Sequence, residues 1–184
     1  EFFATATQTS LTTLKDNRDL LIKSKLPREL FVLSRVLTAF VNFLLGCIPF
    51  AAVLAWYRAK VTLYYLWIPF LLLLLLIFTT GVSYGVSIWY VYRRDAKNIY
   101  TNILFILRFF VAIFYSIDWM SSGVKWVIQH NPLYIFIYIG RQFLIYGECV
   151  DVIYITQIIT WVIVVFVIGL FIFKMYENEV VERL

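Results

Sequence analysis

Arg108 is the residue whose chemistry most needs an explanation, because it stands alone in the apolar run 99–116. A charge at the centre of a bilayer costs at least about 2.5–3.5 kcal/mol on insertion scales. Its guanidinium must therefore face a protein interior or a wet cavity. There it can grip a phosphate through two parallel hydrogen bonds. Alternatively, it pairs with a carbonyl or carboxylate, or it snorkels to the interface if its helix starts late. Aromatic residues recur around it: Phe105, Phe109, Phe110, Phe114, Tyr115 and Trp119. Their faces can stack on sugar rings and let a polymer slide. They can equally serve helix packing or an interfacial belt, and the belt suits Tyr115 and Trp119 at the outer end of the run.

The remaining candidate chemistry is thin. The single histidine, His130, has no Cys or carboxylate cluster nearby in sequence, so no zinc site is expected. Asp118, Glu148 and Asp151 are the only acids on its side of the chain. That is a poor set for a membrane-embedded glycan- or lipid-modifying enzyme. No G-x-x-x-x-G-K-[ST] phosphate loop occurs, so ATP hydrolysis of that type belongs to another subunit. Cys47 and Cys149 are too few for a disulfide framework. The sequence thus predicts no catalytic residue, no metal and no cofactor bound by this chain.

The elements that position these residues are four apolar runs, 36–57, 63–92, 99–116 and 152–173. A hydrocarbon core of about 30 Å needs roughly 20 apolar residues in a helix, so the pattern predicts an all-α, polytopic transmembrane bundle. Only 15% of residues are charged against 62% hydrophobic, which excludes an ordinary soluble domain. The net charge of +5 sits at the ends of the runs, which suits a membrane and not a nucleic acid. Residues 10–35 interleave Lys15, Arg18, Lys23, Lys25, Arg28 and Arg35 with leucines, as in an amphipathic surface helix that Pro27 ends. Pro49 should kink or break the first full run. Gly81 and Gly85 offer a small-xxx-small contact. Residues 117–151 hold two short apolar pieces around Asn131-Pro132, a pattern that suits a re-entrant hairpin. If each long run crosses once, eleven of sixteen Lys and Arg share one side. The positive-inside rule makes that side cytoplasmic and the hairpin external. Starting at Glu1, with no signal peptide and a stub Phe2-Phe3-Ala4, the chain reads as an internal piece of a longer protein.

Four motifs occur in an order that resembles the membrane subunit of ABC-2 type exporters of lipid-linked polysaccharides. They are Leu26-Pro27-Arg28-Glu29-Leu30 before Val41-Asn42-Phe43; Tyr92-Arg93-Arg94-Asp95; Ile113-Phe114-Tyr115; and Asn131-Pro132-Leu133-Tyr134 before Arg141 and Tyr146-Gly147. Val111-Ala112 departs from the family's Ser-Pro or Thr-Pro, and Arg108 looks more like the wall teichoic acid branch than the O-antigen branch. The resemblance implies a bacterial plasma-membrane protein, one of six-span subunits whose first helices are missing here. It implies a homodimer around a channel, joined by two ATP-binding cassette ATPase subunits that carry ATP and Mg. It makes 10–35 a cytoplasmic coupling segment, whose amphipathic part before Pro27 is the coupling helix, with Lys23, Lys25, Arg28 and Glu29 transmitting to the ATPase. Arg108, Phe105, Phe109, Tyr115 and Trp119 would line the translocation pathway, and the hairpin would form part of an exit gate. The substrate would be an undecaprenyl-diphosphate-linked glycan. A small-molecule ABC-2 exporter would share this fold.

Overall fold

Asn17 closes helix α1 (Phe2–Asp16) in the computed structural model, its side-chain amide donating to the Thr13 carbonyl at 2.8 Å. The structure describes residues 1–23, 26–56, 62–93, 95–112, 115 and 117–183; of Ala55, Asp118 and residues 181–183 it describes the backbone alone. After α1 come α2 (Arg18–Lys23) and α3 (Glu29–Trp56). A 3-10 turn (Leu63–Trp67) leads into α4 (Ile68–Tyr92), where Pro69 sits in the first turn and loses no needed hydrogen bond. Next are α5 (Ala96–Phe110), α6 (Ser122–Gln129) and α7 (Pro132–Arg141). A π turn (Gln142–Tyr146) ends on Gly147 at φ +65°, a left-handed position that favours glycine. The last helix, α8, spans Val152–Arg183. Among the described residues there is no strand.

The α4–α8 pair is the spine. The two helices run parallel: Leu74 and Phe78 share a core with Ile158 and Val162, Tyr84 meets Phe173 at 5.1 Å, and Tyr92 meets Tyr176 at 5.6 Å. They cross where both lack side chains. A Cβ on Gly81 would stand 2.7 Å from Phe166 Cα, and one on Gly169 would overlap the Gly81 carbonyl. Gly85 has open space where its Cβ would be. The close contact is therefore Gly81 against Gly169, and not the Gly81–Gly85 pair that the sequence pattern singled out.

Helix α1 lies between α3 and α4 and buries Ala6, Thr7, Ser10, Leu11, Thr13 and Leu14. On both α1 and α4, buried hydroxyls turn back on their own helix. Thr7 donates to Phe3 O, Ser10 to Ala6 O, Thr79 to Leu75 O and Thr80 to Leu76 O, all at 2.7–2.8 Å. Self-satisfied in this way, the small polar residues allow close approach without needing a partner across the seam.

Three expectations need correction. Residues 10–16 are not a surface helix; they continue the buried face of α1, because Leu11 and Leu14 fall on the same stripe as Phe2 and Ala6. Only Arg18–Lys23 remains as a short surface helix. Pro49 does not break α3, which runs on to Trp56. Of the described part of the run 99–116, only 99–110 is helical; it belongs to α5, which at 15 residues is about 22 Å long at 1.5 Å per residue. The chain leaves it through Ala112, left-handed at φ +50° although not a glycine. By length and composition, three helices among the described residues can cross a membrane: Glu29–Leu54, Leu63–Tyr92 and Val152–Val180.

Adding a methyl at the crossing should be felt. Gly81→Ala and Gly169→Ala are expected to destabilise the protein by about 1–3 kcal/mol, while Gly85→Ala changes little. Thermal unfolding of the detergent-purified variants measures this; equal melting temperatures for all three would contradict the crossing.

Candidate functional site

One end of the spine carries a polar junction. Arg28 donates to the backbone carbonyl of Glu177 and to Asn178 Oδ1 at 3.1 Å. Glu29 pairs with Lys174, which also lies 3.6 Å from Glu177. The Tyr92 hydroxyl donates to Glu179 Oε2 at 2.6 Å. The start of α3 and the end of α4 are thereby tied to the last turns of α8. Below the charges, Leu21 of α2 packs with Val32, Phe173 and Val180, so the basic segment rests directly on α8. Leu20, Ile22 and Lys23 point outward. Lys25 lies outside the described residues, as do Arg94, the 58–60 link, Ile113 and Phe114.

Sequence reasoning singled out Arg28 and Glu29 but missed their partners. It ended the last span at Phe173 and treated Lys174 as a terminal charge. The signal was there: Lys174, Glu177 and Asn178 have i, i+3, i+4 spacing, which places them on one face if the helix continues.

At mid-length a cavity of about 320 Å³ opens between α1, α5 and α7. Phe2, Leu75, Leu107, Leu133 and Phe136 line it, and Arg108 is its cation. The guanidinium is 3.7 Å from the Glu1 carboxylate and its side chain is 58% exposed. That exposure discounts the deeply buried structural pair and fits a wet cavity wall. The aromatic set does not gather here. Phe105 and Phe109 stack edge to face at 5.5 Å on the exposed side of α5. Trp119 is exposed, and the Tyr115 hydroxyl donates to the Phe109 carbonyl. The structure thus brings Arg108 to the cavity and leaves Phe105, Phe109 and Trp119 on outer surfaces.

The cavity's roof is the α6–α7 hairpin. Phe136 meets Phe78 of α4 at 5.8 Å, Tyr64 stacks on Phe143 at 6.0 Å, and the Tyr65 hydroxyl donates to Leu144 O at 3.0 Å. Asn131 joins two helix ends: its Oδ1 accepts from Leu133 N–H at 3.0 Å and its amide donates to the Phe110 carbonyl at 3.2 Å. His130 is held locally, with Nδ1 2.8 Å from the Trp126 carbonyl. No group of acids, Cys and His that could hold a metal occurs among the described residues.

Comparison with known proteins adds a lineage to this geometry. A family model described as ABC-2 type transporter matches residues 2–145. Two proteins named O-antigen export system permease protein RfbA, both from Klebsiella pneumoniae, are each 27% identical over 189 residues, covering 100% of this chain and 71% of their own length. A protein of the same name from Myxococcus xanthus is 29% identical over 135 residues, 72% of this chain and 52% of its own.

If the junction holds α8 in place, Arg28→Ala combined with Glu29→Ala should speed hydrogen exchange in residues 177–180. Exchange in 158–166, inside the spine, should stay as it was. Unchanged exchange at the end of α8 would mean that the junction bears no load.

Proposed function

Because this chain belongs to the ABC-2 type transporter family, we propose that it is the membrane subunit of an ATP-driven exporter of a lipid-linked glycan. The observation that carries this reading is the likeness to O-antigen export permeases along the whole chain. It agrees with the order of motifs in the sequence. Export of O-antigen or a similar polysaccharide is favoured by those relatives; Arg108 is what keeps wall teichoic acid as the second polymer. An undecaprenyl diphosphate anchor would supply the anionic group common to both.

In this reading the junction end is cytoplasmic and the hairpin end external, in a bacterial inner membrane. Arg18–Lys23 and Arg28-Glu29 receive a separate ATPase subunit, which hydrolyses ATP with Mg. Exposed Leu20 and Ile22 among basic residues suit an amphipathic helix in a groove of that partner. Movement passed to Arg28 and Glu29 reaches α8 through Lys174 and Glu177. Two copies of the chain would pair around the pathway, and the exposed α5 face with Ile103, Ile106, Phe105 and Phe109 is available for that contact. Arg108 would meet diphosphate or polymer charge with its planar fork.

The test is to purify the chain with its ATPase and measure hydrolysis with lipid-linked O-antigen, with lipid-linked teichoic acid and with small hydrophobic drugs. Stimulation by a glycan substrate supports the proposal; stimulation by the drugs alone would overturn it. For Arg108, exposure predicts that Arg108→Gln changes stability by no more than about 1 kcal/mol while export falls. Arg108→Lys should recover part of the export, since it keeps charge and loses the fork. Full export by the Gln variant would remove Arg108 from the pathway.

A further inference from the structure

Helix α5 stops inside the apolar layer, and the backbone groups at its end need partners there. Two measures of depth agree. Phe110 lies fifteen residues along α5, about 22 Å from its start, while Phe78, which Phe136 touches, lies about 21 Å along α4 from Tyr92. Both values fall short of the roughly 30 Å hydrocarbon thickness. The hairpin tip and the end of α5 therefore meet several ångströms below the outer boundary. At that depth a carbonyl that faces lipid finds no water, so one left unpartnered is costly. The last carbonyls of a helix have no partner within the helix. Here Phe109 O accepts from Ala112 N–H at 3.4 Å and from the Tyr115 hydroxyl, while the Asn131 amide takes Phe110 O.

Asn131 does this while capping α7 with its other atom. One side chain thus fixes the C-terminus of α5 to the N-terminus of α7. On the α5 side the chain turns through left-handed Ala112, a conformation that a non-glycine residue holds only when neighbours enforce it. Beneath this joint, α5 supplies Leu107 and Arg108 and α7 supplies Leu133 and Phe136 to the cavity wall.

We propose that Asn131 is a positioning residue that latches the hairpin tip onto the end of α5 and so sets how far the Arg108 cavity opens toward the hairpin side. The latch deepens the exporter reading and rests on it for its role in transport. Its action on the cavity is measurable without substrate or ATPase. With the amide in place, Leu133 and Phe136 stay seated over Arg108. Without the amide, the tip keeps its own N-cap but loses its hold on α5, and the cavity exchanges with solvent from that side.

The experiment uses the full chain in cell membranes, with Cys47 and Cys149 replaced by serine and a probe at Leu107→Cys. A membrane-impermeant thiol reagent is applied to the side from which Gly123→Cys labels. Two variants separate latching from folding. Asn131→Asp and Asn131→Ser both retain an N-cap acceptor, but neither offers an amide donor to Phe110 O. At about pH 8 both should label Leu107→Cys about tenfold faster than the Asn131 parent, the loss expected from one hydrogen bond, at nearly unchanged melting temperature. At about pH 4, where a carboxyl becomes a donor, the Asp variant should return toward the parent rate measured at the same pH, while the Ser variant should not. Labelling equal to the parent in both variants at about pH 8, or an equal fall in both at about pH 4, overturns the latch. A latch that passes this test in a chain that no glycan stimulates would leave Asn131 as assigned and remove the exporter reading alone.

Discussion

The contact between Gly81 and Gly169 is the constraint on which the rest depends. Within a membrane, helices gain little from hiding apolar surface from each other, since lipid is as apolar as they are. Association must come from close packing. Here two backbones touch because both helices drop their side chains at one level, and large residues fill in on either side: Phe78 and Val162 toward one end, Tyr84 and Phe173 toward the other. Everything with a plausible role hangs from the two ends of that parallel pair. The junction of Arg28, Glu29, Lys174 and Glu177 closes one end, and the hairpin core of Ile135, Ile139 and Phe143 closes the other.

The charge pairs of the junction are partly exposed, with Glu29 at 24% and Lys174 at 53%. Pairs of this kind contribute little stability singly. Their value is geometric, because Glu29, Arg28 and Tyr92 hold α8 at Lys174, Asn178 and Glu179 and so define its azimuth as well as its distance. The hairpin end is mostly apolar instead, its core built on Ile135, Ile139 and Phe143. The spine thus ends in a polar junction on one side and an apolar hairpin core on the other.

Much of the fold was legible from residue patterns because hydrocarbon imposes simple rules. The described parts of the runs 36–57, 63–92 and 152–173 lie mostly in the long helices α3, α4 and α8, and residues 117–151 hold two short helices around Asn131-Pro132. What escaped was context. The apolar run 99–116 had the composition of a span, and nothing local showed that Asn131 and Tyr115 would satisfy the carbonyls of a helix that stops early. Basic residues in 10–35 suggested a surface, yet the buried face of α1 continues past Ser10 regardless of Lys15. In the site, Arg28, Glu29 and Arg108 were visible as charges in unusual places, whereas their partners depend on a helix register that no short motif records. The neighbouring aromatics misled because their i, i+3, i+4 spacing with Arg108 suggested one shared face, whereas Phe105 and Phe109 are exposed and do not line the cavity that Arg108 enters.

The central claim is that junction and hairpin lie on opposite sides of one membrane, with the junction inside. Thiol labelling of intact cells with an impermeant reagent tests it most directly. A cysteine at exposed Asn98, next to the junction end, should label only after permeabilisation, and one at exposed Gly123 in α6 should label in intact cells. Labelling of Asn98→Cys in intact cells, or protection of Gly123→Cys, would contradict the account.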